Sequence, residues 1–224
     1  MTHGLAPLAD SWITPSDPLR RDVASAIPQF PYDPARAQQL LADAGWVRRA
    51  DGALAHARTG ERFEVELRGY QAGGIEKQLG IVADGWKATG AEVSLNVVPV
   101  ALQVDLEYAA KNPGAIVQFL GGPSYMENRL HSRGIAGPAN RWTGRNRLGY
   151  SNPTVDGLLE SLVVTIAPTE RVALHRQLLQ SQMGDVPMMP LYWEVSPVLM
   201  VQGVDGPLGG GGDVLTRIAA WRKS

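Results

Sequence analysis

His3, His56, His131 and His175 are the side chains in this 224-residue chain best suited to ligate a metal or to move a proton near neutrality. Their spacing serves neither purpose. No His-Glu-x-x-His pair occurs, and no carboxylate stands at metal-ligand spacing from any of them. His175, next to Arg176, reads as a solvated or half-buried position on a helix. The chain contains no cysteine, which excludes disulfides, thiolate catalysis and Cys-based zinc sites. Ser124 follows Gly122-Pro123 without the Gly-x-Ser-x-Gly elbow that would expose a nucleophile, and nothing marks a partner base. Gly73-Gly74 ahead of a helix offers free amides to an anion. It lacks the Lys-Ser or Lys-Thr of a phosphate loop and the glycine spacing of a dinucleotide site. Glu64 and Glu66 share one strand face, as a pair of acid-base carboxylates would, but a strand with one solvated face produces the same alternation. These residues support no enzyme and imply no cofactor.

Binding is better supported. Open α/β lobes take ligands beyond the carboxyl ends of their strands, and aromatic and polar residues gather at four such ends. Tyr70 and Gln71 close the first. A strand from Ala115 to Leu120 leads through Phe119 into Gly121, Gly122 and Tyr125. Trp142, Arg145 and Asn146 lie in the long segment 121–149, and loops of that length in a compact domain usually bind something. Tyr192 and Trp193 close the last strand. An aromatic ring with a polar handle supplies stacking area and a hydrogen bond together. Core packing explains each member singly, so the set carries the expectation.

The elements that position these residues follow from periodicity. Asp33 and Pro34 open a helix that Gly45 ends. Ala53 to Ala57 and Phe63 to Tyr70 flank a Thr-Gly turn and predict a hairpin, with Phe63, Val65 and Leu67 on one face and Glu64, Glu66 and Arg68 on the other. Ile75, Leu79, Val82 and Trp86 stripe a helix from Gly74 to Thr89. Val93, Leu95 and Val97 alternate in the next strand, and this strand-helix-strand order predicts a right-handed crossover and a parallel pair. A short helix spans Leu102 to Lys111. The strand Ala115 to Leu120 lacks alternation, which predicts burial on both faces. Asn152 and Pro153 open a helix whose apolar face is Val155, Leu158, Leu159, Leu162 and Ile166. Pro168 and Glu170 open another, with Leu174, Leu178, Leu179 and Met183, ended by Gly184 and Pro187. A strand is expected from Val186 to Trp193. Residues 1–31 hold five prolines and no period, with Trp12 and Ile13 pinning them to the core. Gly209 to Gly212 make the tail 208–224 a flexible spacer.

Lys plus Arg number 21 and Asp plus Glu 22, for a net charge of −1. That balance argues against nucleic acid or a membrane surface as the main partner, since both demand a basic excess. No apolar run approaches the roughly 20 residues needed to span a bilayer. The first residues, MTHGLAPLADSW, lack the layout of a signal peptide, so an export signal is expected upstream or already removed.

Two stretches resemble the family 5 extracellular solute-binding proteins, the peptide, dipeptide and nickel receptors of ABC importers. Tyr150, Ser151, Asn152, Pro153, Val155, Asp156, Leu158 and Leu159 match one motif. Glu170, Arg171, Val186, Pro187, Pro190, Leu191 and Tyr192 continue it. Tyr32, Asp33, Pro34, Ala37, Leu40, Leu41, Ala44, Gly45 and Trp46 match a second. The resemblance covers roughly residues 4–207 and corresponds to the second half of a family member. It implies an α/β fold of the periplasmic-binding-protein type II, with a mixed, mostly parallel sheet flanked by helices. Residues 1–31 would lead in from a missing first lobe, 32–186 would form the C-terminal lobe, and 187–207 would return toward the missing lobe. Asp156 and Arg171 read as a structural pair between the late helices.

The implied function is capture of a peptide-like or other small solute by closure of two lobes, outside the cytoplasm, and delivery to ABC permease subunits. The ligand-sensing domain of a transcription regulator is the alternative. Peptide-binding relatives commonly carry an aspartate after the strand equivalent to Ala115–Leu120, and Gly121-Gly122-Pro123 stands there instead, which weakens the peptide assignment. Apolar surface left by the missing lobe implies self-association.

Overall fold

In the computed structural model, which describes residues 4–120, 129–195, 201–206 and 220–223, the chain divides into two units. The first draws on Phe30–Leu120 and Arg133–Gly149, the second on Thr2–Gln29, Gly121–Ser132 and Tyr150–Ser224.

In the first unit, Asp33 accepts the Arg36 amide at 2.9 Å and starts the helix Pro34–Asp43 (α2, after the short α1, Leu19–Val23, of the second unit). Gly45 follows with φ +89°, where a side chain would be strained. Trp46–Arg48 (β1) pairs antiparallel with Leu54–His56 (β2). The expected hairpin between 53–57 and 63–70 is therefore present only as a bridge, Ala55 to Arg62, with Phe63 N–H on Leu54 O at 3.0 Å. Glu64–Tyr70 (β3) belongs to another sheet. There it lies between Glu92–Val98 (β4) and Ala115–Val117 (β5), parallel to both. The helix Ile75–Thr89 (α3) connects β3 to β4, and the expected parallel pair is present.

Leu67, Ile75, Leu79 and Ala83 form the core between sheet and helix, with Val82, Trp86, Val93, Val97, Ala115 and Val117 against it. Gly69 lets α3 settle on β3, because a Cβ there would stand 2.4 Å from Ile75 Cγ1. β5 stops at Val117 and is half-buried, not buried on both faces, because among the described residues the only strand beside it is β3. The expected helix 102–111 is two short ones, Val100–Gln103 (α4) and Leu106–Ala110 (α5), since Asp105 accepts the Tyr108 amide and restarts the helix.

The second unit is built around a helical hairpin, Pro153–Val164 (α6) and Pro168–Asp185 (α7). Asn152 caps α6 through the Thr154 and Val155 amides. Val155, Leu158, Leu159 and Leu162 of α6, with Leu178, Leu179 and Met183 of α7, are buried. Ile166, expected on that face, is 90% exposed. Its helix has already ended, because Arg171 donates to the carbonyls of Leu162 (2.6 Å) and Thr165 (3.0 Å). Arg171 thus closes the hairpin connector and does not pair with Asp156, which instead accepts the Ser132 amide at 2.9 Å and the Ser132 hydroxyl. α7 runs through Gly184 to Asp185 and ends with Val186 at φ +48°.

The expected strand 186–193 reduces to one antiparallel bridge, Leu8 to Tyr192. Pro187 and Pro190 bring no amide hydrogens to a ladder. Trp12 and Ile13 are buried, as expected of the lead-in, and a short 3-10 turn, Ala24–Ala26, follows α1. Val204–Asp205 (β6) pairs antiparallel with Arg222–Lys223 (β7), while the Gly209 to Gly212 tail expectation falls outside the described residues.

His175 is buried, not half-solvated, and its Nδ1 has no hydrogen-bond partner among the described residues. Burial, reinforced by the Arg171 charge, lowers its pKa from the ordinary 6.5. The unfolded chain therefore takes up a proton at a pH where the folded chain does not. Stability from this group is complete above 6.5 and is lost as the pH falls toward the lowered value. Urea midpoints measured from about pH 7.5 to about pH 5 should drop across this window, and the drop should shrink in His175→Gln. Parallel profiles for the two proteins would refute the assignment.

Candidate functional site

The carboxyl end of the parallel sheet is the first feature suited to a ligand. β3 ends at Tyr70, half-buried, and Gln71, exposed, and the Gln71 amide donates to Val98 O at 3.1 Å. The Gln103 side-chain amide reaches both Gln71 O and Val98 O at 3.4 Å and ties α4 to this edge. Val100 and Val104 beyond β4 are 63% and 80% exposed, and Phe119 beyond β5 is 75% exposed. Three strand ends in one unit thus present apolar and amide groups to solvent. Gly121, Gly122 and Tyr125, the residues expected to continue it, lie outside the described residues, as does Ser124.

Residues 133–149 of the same unit are tied into a compact loop. Ile135 and Asn146 form a parallel bridge, Asn146 N–H donates to Gly134 O at 2.9 Å, and Ala136 N–H donates to Asn146 O at 3.1 Å. Asn146 is fully buried inside this closure, whereas Arg145 is exposed. Gly144 permits the closure, since a Cβ there would lie 2.4 Å from Gly134 O. Arg141 and Trp142 follow one another with φ of +52° and +63°. Each such non-glycine residue costs about 1 kcal/mol or more, so the surrounding hydrogen bonds must hold them. Trp142 N–H donates to Gly137 O at 2.9 Å, and the Asn140 side chain joins Gly137 N to Ile135 O. The Lys111 ammonium stands 5.1 Å from the Trp142 ring centroid.

Lys111 is itself positioned by a group that the alternation of β3 hides. The alternation sets Arg68 on a solvated face with Glu64 and Glu66, yet it is 8% exposed. It pairs with Glu66, donates to Lys111 O at 3.3 Å and Tyr108 O at 3.5 Å, and lies 4.7 Å from the Tyr108 ring centroid. Asn96 bridges Glu66 (3.1 Å) and the Tyr108 hydroxyl (3.3 Å). Burial alone would raise the Glu66 carboxyl; the hydrogen bonds from Arg68 and Asn96 outweigh it, and the pKa lies below its ordinary value. The cluster holds α5 on the sheet face opposite α3. Its partner in sequence is Asn96, on the polar side of β4 with Glu92 and Ser94, which the parallel register sets beside Arg68.

In the second unit Tyr192 and Trp193 are half-buried, and Trp193 N–H donates to Pro7 O at 2.9 Å. The motif residues there hold the helices together. The Tyr150 hydroxyl and the Asn152 amide both donate to Asp185 Oδ2, at 2.6 and 2.7 Å. Burial, aided by that carboxylate, raises the Tyr150 pKa, and the two donors lower that of Asp185. His131 lies 3.4 Å from Asp156 and 3.2 Å from Glu160. Ser132 donates to Asp156 as well, and the group fastens the segment before the loop to α6. Among the described residues, no group of three or more His, Asp or Glu side chains is placed to hold a metal ion, and no helix is long and apolar enough to cross a membrane.

No protein-family model matches the chain. A curated relative, an uncharacterized lipoprotein of Mycobacterium leprae, is 27% identical over 84% of this chain and 35% of its own length. An oligopeptide-binding protein of Thermus thermophilus, solved with a pentapeptide, superimposes with a TM-score of 0.76 at 23% identity, covering 93% of this chain and 38% of its own. NikZ of Campylobacter jejuni, solved with Ni(L-His), gives 0.74 at 18% identity, covering 99% of this chain and 44% of its own. A periplasmic oligopeptide-binding protein of Thermotoga maritima, solved with mannohexaose, gives 0.69 at 19%, covering 86% and 37%. The chain thus spans less than half the length of the proteins it matches. Its helix and strand order and its parallel sheet lead to one conclusion: the chain carries the fold of part of these solved solute-binding proteins.

Proposed function

We propose that this chain supplies one ligand-binding lobe of the substrate-binding component of an ABC-type importer, working outside the cytoplasm. The observation that carries this reading is the open carboxyl end of the β4-β3-β5 sheet, with Tyr70, Gln71 and Phe119 on a fold shared with oligopeptide-binding proteins. Such a lobe does no chemistry. It contributes one wall of a cleft, and closure against a second lobe would bury the solute and present the closed form to permease subunits. The lipoprotein relative supports a location at the outer face of a membrane.

The structural neighbours were solved with a pentapeptide, a nickel-histidine complex and a mannohexaose, so the fold alone selects no ligand. Calorimetric titration of the complete protein against peptide, sugar and metal-chelate libraries tests the reading. Heat with one solute class is expected, and silence from all three sinks it. Self-association is a further part of the proposal, supported by Met189 (55% exposed), Leu191 (40%), Val195 (46%) and Val201 (72%) in and around the returning segment. Light scattering after size exclusion should give a mass above that of one chain as concentration rises. A constant monomer mass rejects it.

A further inference from the structure

We infer that the outer edge of β4 takes a second copy of this chain, the two β4 strands pairing antiparallel about a two-fold axis at Leu95; this contact neither needs the solute-binding reading nor uses the returning segment. Among the described residues, β3 is the only strand beside β4. The ladder between them keeps one unbroken register from Glu64–Glu92 to Tyr70–Val98. Its phase is fixed at both ends, where Glu92 N–H donates to Phe63 O at 2.9 Å and Gln71 N–H donates to Val98 O at 3.1 Å. Alternate residues of a strand turn their N–H and C=O to opposite sides, so Glu92, Ser94, Asn96 and Val98 direct theirs to β3. Val93, Leu95 and Val97 direct theirs outward, and a row of donors and acceptors lines that edge.

Soluble proteins guard such an edge with lysine, proline, a bulge or a short strand. β4 has none of these. It is seven residues long, against three for β5, and its sequence EVSLNVV carries a single charge, Glu92, at its start. Pro99 stands only after it ends. Val93 and Val97 pack against the core below α3. Leu95 lies between them on the same face as the register partner of buried Leu67, yet it is 47% exposed. An aliphatic side chain left in water beside outward main-chain groups is a template for a further strand.

The strand is complementary to itself. With Leu95 opposite the partner's Leu95, Val93 stands opposite the partner's Val97 and Val97 opposite the partner's Val93. Every one of these pairs joins residues whose N–H and C=O face outward, so each exchanges two hydrogen bonds. The facing side chains are aliphatic, Ser94 falls opposite the partner's Asn96, and Glu92 meets the partner's Val98 and not its own charge. Other registers fail. A shift of one residue sets outward groups against groups already bonded to β3. A shift of two in one direction sets Val93 against the partner's Pro99, which has no N–H. In the other direction it sets Val97 against the partner's Ala91, whose N–H already bonds to Trp86 O at 3.4 Å. A peptide of unrelated sequence has no such register, which favours the second copy.

The full 224-residue chain contains no cysteine, so single introduced cysteines report the pairing without background. Leu95→Cys should give a disulfide-linked dimer under mild oxidation, since facing residues of a hydrogen-bonded pair lie about 5.5 Å apart at Cα, within disulfide reach. Val93→Cys and Val97→Cys should cross-link when mixed and not alone, because each stands about 13 Å along the strand from its own counterpart. Ile81→Cys, 60% exposed on α3, measures random collision. In the unmodified chain, hydrogen exchange at the Val93, Leu95 and Val97 amides should slow as concentration rises from about 10 µM to about 1 mM, the range of a small interface, while Ser94 and Asn96 stay unchanged. Leu95→Lys, which sets two ammoniums face to face, should abolish that slowing, with circular dichroism confirming the fold. Cross-linking of Leu95→Cys no faster than Ile81→Cys, or exchange at the three amides independent of concentration, overturns the inference. Cross-links from Val93→Cys or Val97→Cys alone, as strong as from their mixture, overturn it as well. A mass that still rises with concentration in Leu95→Lys removes the β4 interface and leaves self-association through the returning segment standing.

Discussion

Arg68→Ala is expected to destabilise the first unit by about 2–3 kcal/mol, one of the two largest effects of any single substitution proposed for this chain. The Arg68 side chain is 10% exposed and its partner Glu66 is 29% exposed. Truncation leaves the Glu66 carboxylate with Asn96 alone and removes a donor from the Tyr108 and Lys111 carbonyls and a cation from the Tyr108 ring. Breaking a fully buried pair by removing one partner costs about 3–5 kcal/mol, and the partial exposure of Glu66 brings the figure down. Glu66→Gln, which keeps an acceptor for Arg68, should cost about 1 kcal/mol, as a weakened hydrogen bond does.

The folded pKa of Glu66 is depressed, so the pair's contribution is present above the ordinary 4.5 and is lost as the pH falls through the lowered value. Urea denaturation near neutral pH reads the effect. A shift within about 0.5 kcal/mol of the parent would place the cluster among ordinary surface charges. The consequence also travels, because Lys111, which stands over Trp142, takes its position from Arg68.

Gly114→Ala should cost about 3 kcal/mol, or detach β5 from β3 outright, because strand backbone cannot yield as a side chain can. A Cβ at this position would lie 2.2 Å from Glu66 O, 2.9 Å from Glu66 N and 3.1 Å from Glu66 C, all of them main-chain atoms of the central strand. Two contrasts make the result interpretable. In Gly69→Ala the new methyl meets Ile75 Cγ1 and Cδ1 at 2.4 and 2.7 Å, side-chain atoms that can turn aside, so the penalty should be smaller. In Gly85→Ala, inside α3, the methyl meets nothing within 4 Å, and the helix should gain about 0.5–1 kcal/mol. Thermal melts rank the three variants. Amide exchange at Ile116 and Val117 shows whether β5 has come away. Equal melting temperatures for Gly114→Ala and the parent would mean that the close approach relaxes at no cost.

Legibility follows the range of the interaction. Asp33 and Asn152 cap their helices as their types predict, and Gly90 ends α3 at φ +101°, because capping joins residues two to four apart. Strand partners are not legible at the same level. The Thr-Gly turn points β2 toward the chain that follows it, whereas its ladder partner is β1, and nothing within either segment encodes that choice. The burial of Arg68 is hidden for the same reason. Alternation states that it faces away from Leu67, and only the positions of Asn96 and Tyr108 decide that this face is covered. Arg171 misleads by type, because a carbonyl acceptor leaves no trace in side-chain identity, whereas a carboxylate on the neighbouring helix invites pairing.

The site divides along the same line. Tyr70 and Gln71 lie at a strand end, as the α/β rule requires, and Trp142 lies in the loop singled out by its length. Asn146 attracts notice by its polarity and sits inside the loop closure. The loop's backbone bridge, which buries it, joins residues whose types give no sign of pairing.

Tyr150 and Asn152, at the entrance of the helical hairpin, both bond to Asp185 at its exit, while Arg171 draws its far connector shut. The chain therefore enters and leaves the hairpin at nearly one point in space. A segment with coincident ends is a cassette: it can be transplanted, or its connector rebuilt, without pulling on the host around it. The most recognisable stretch of this sequence is thereby closed on itself at both ends.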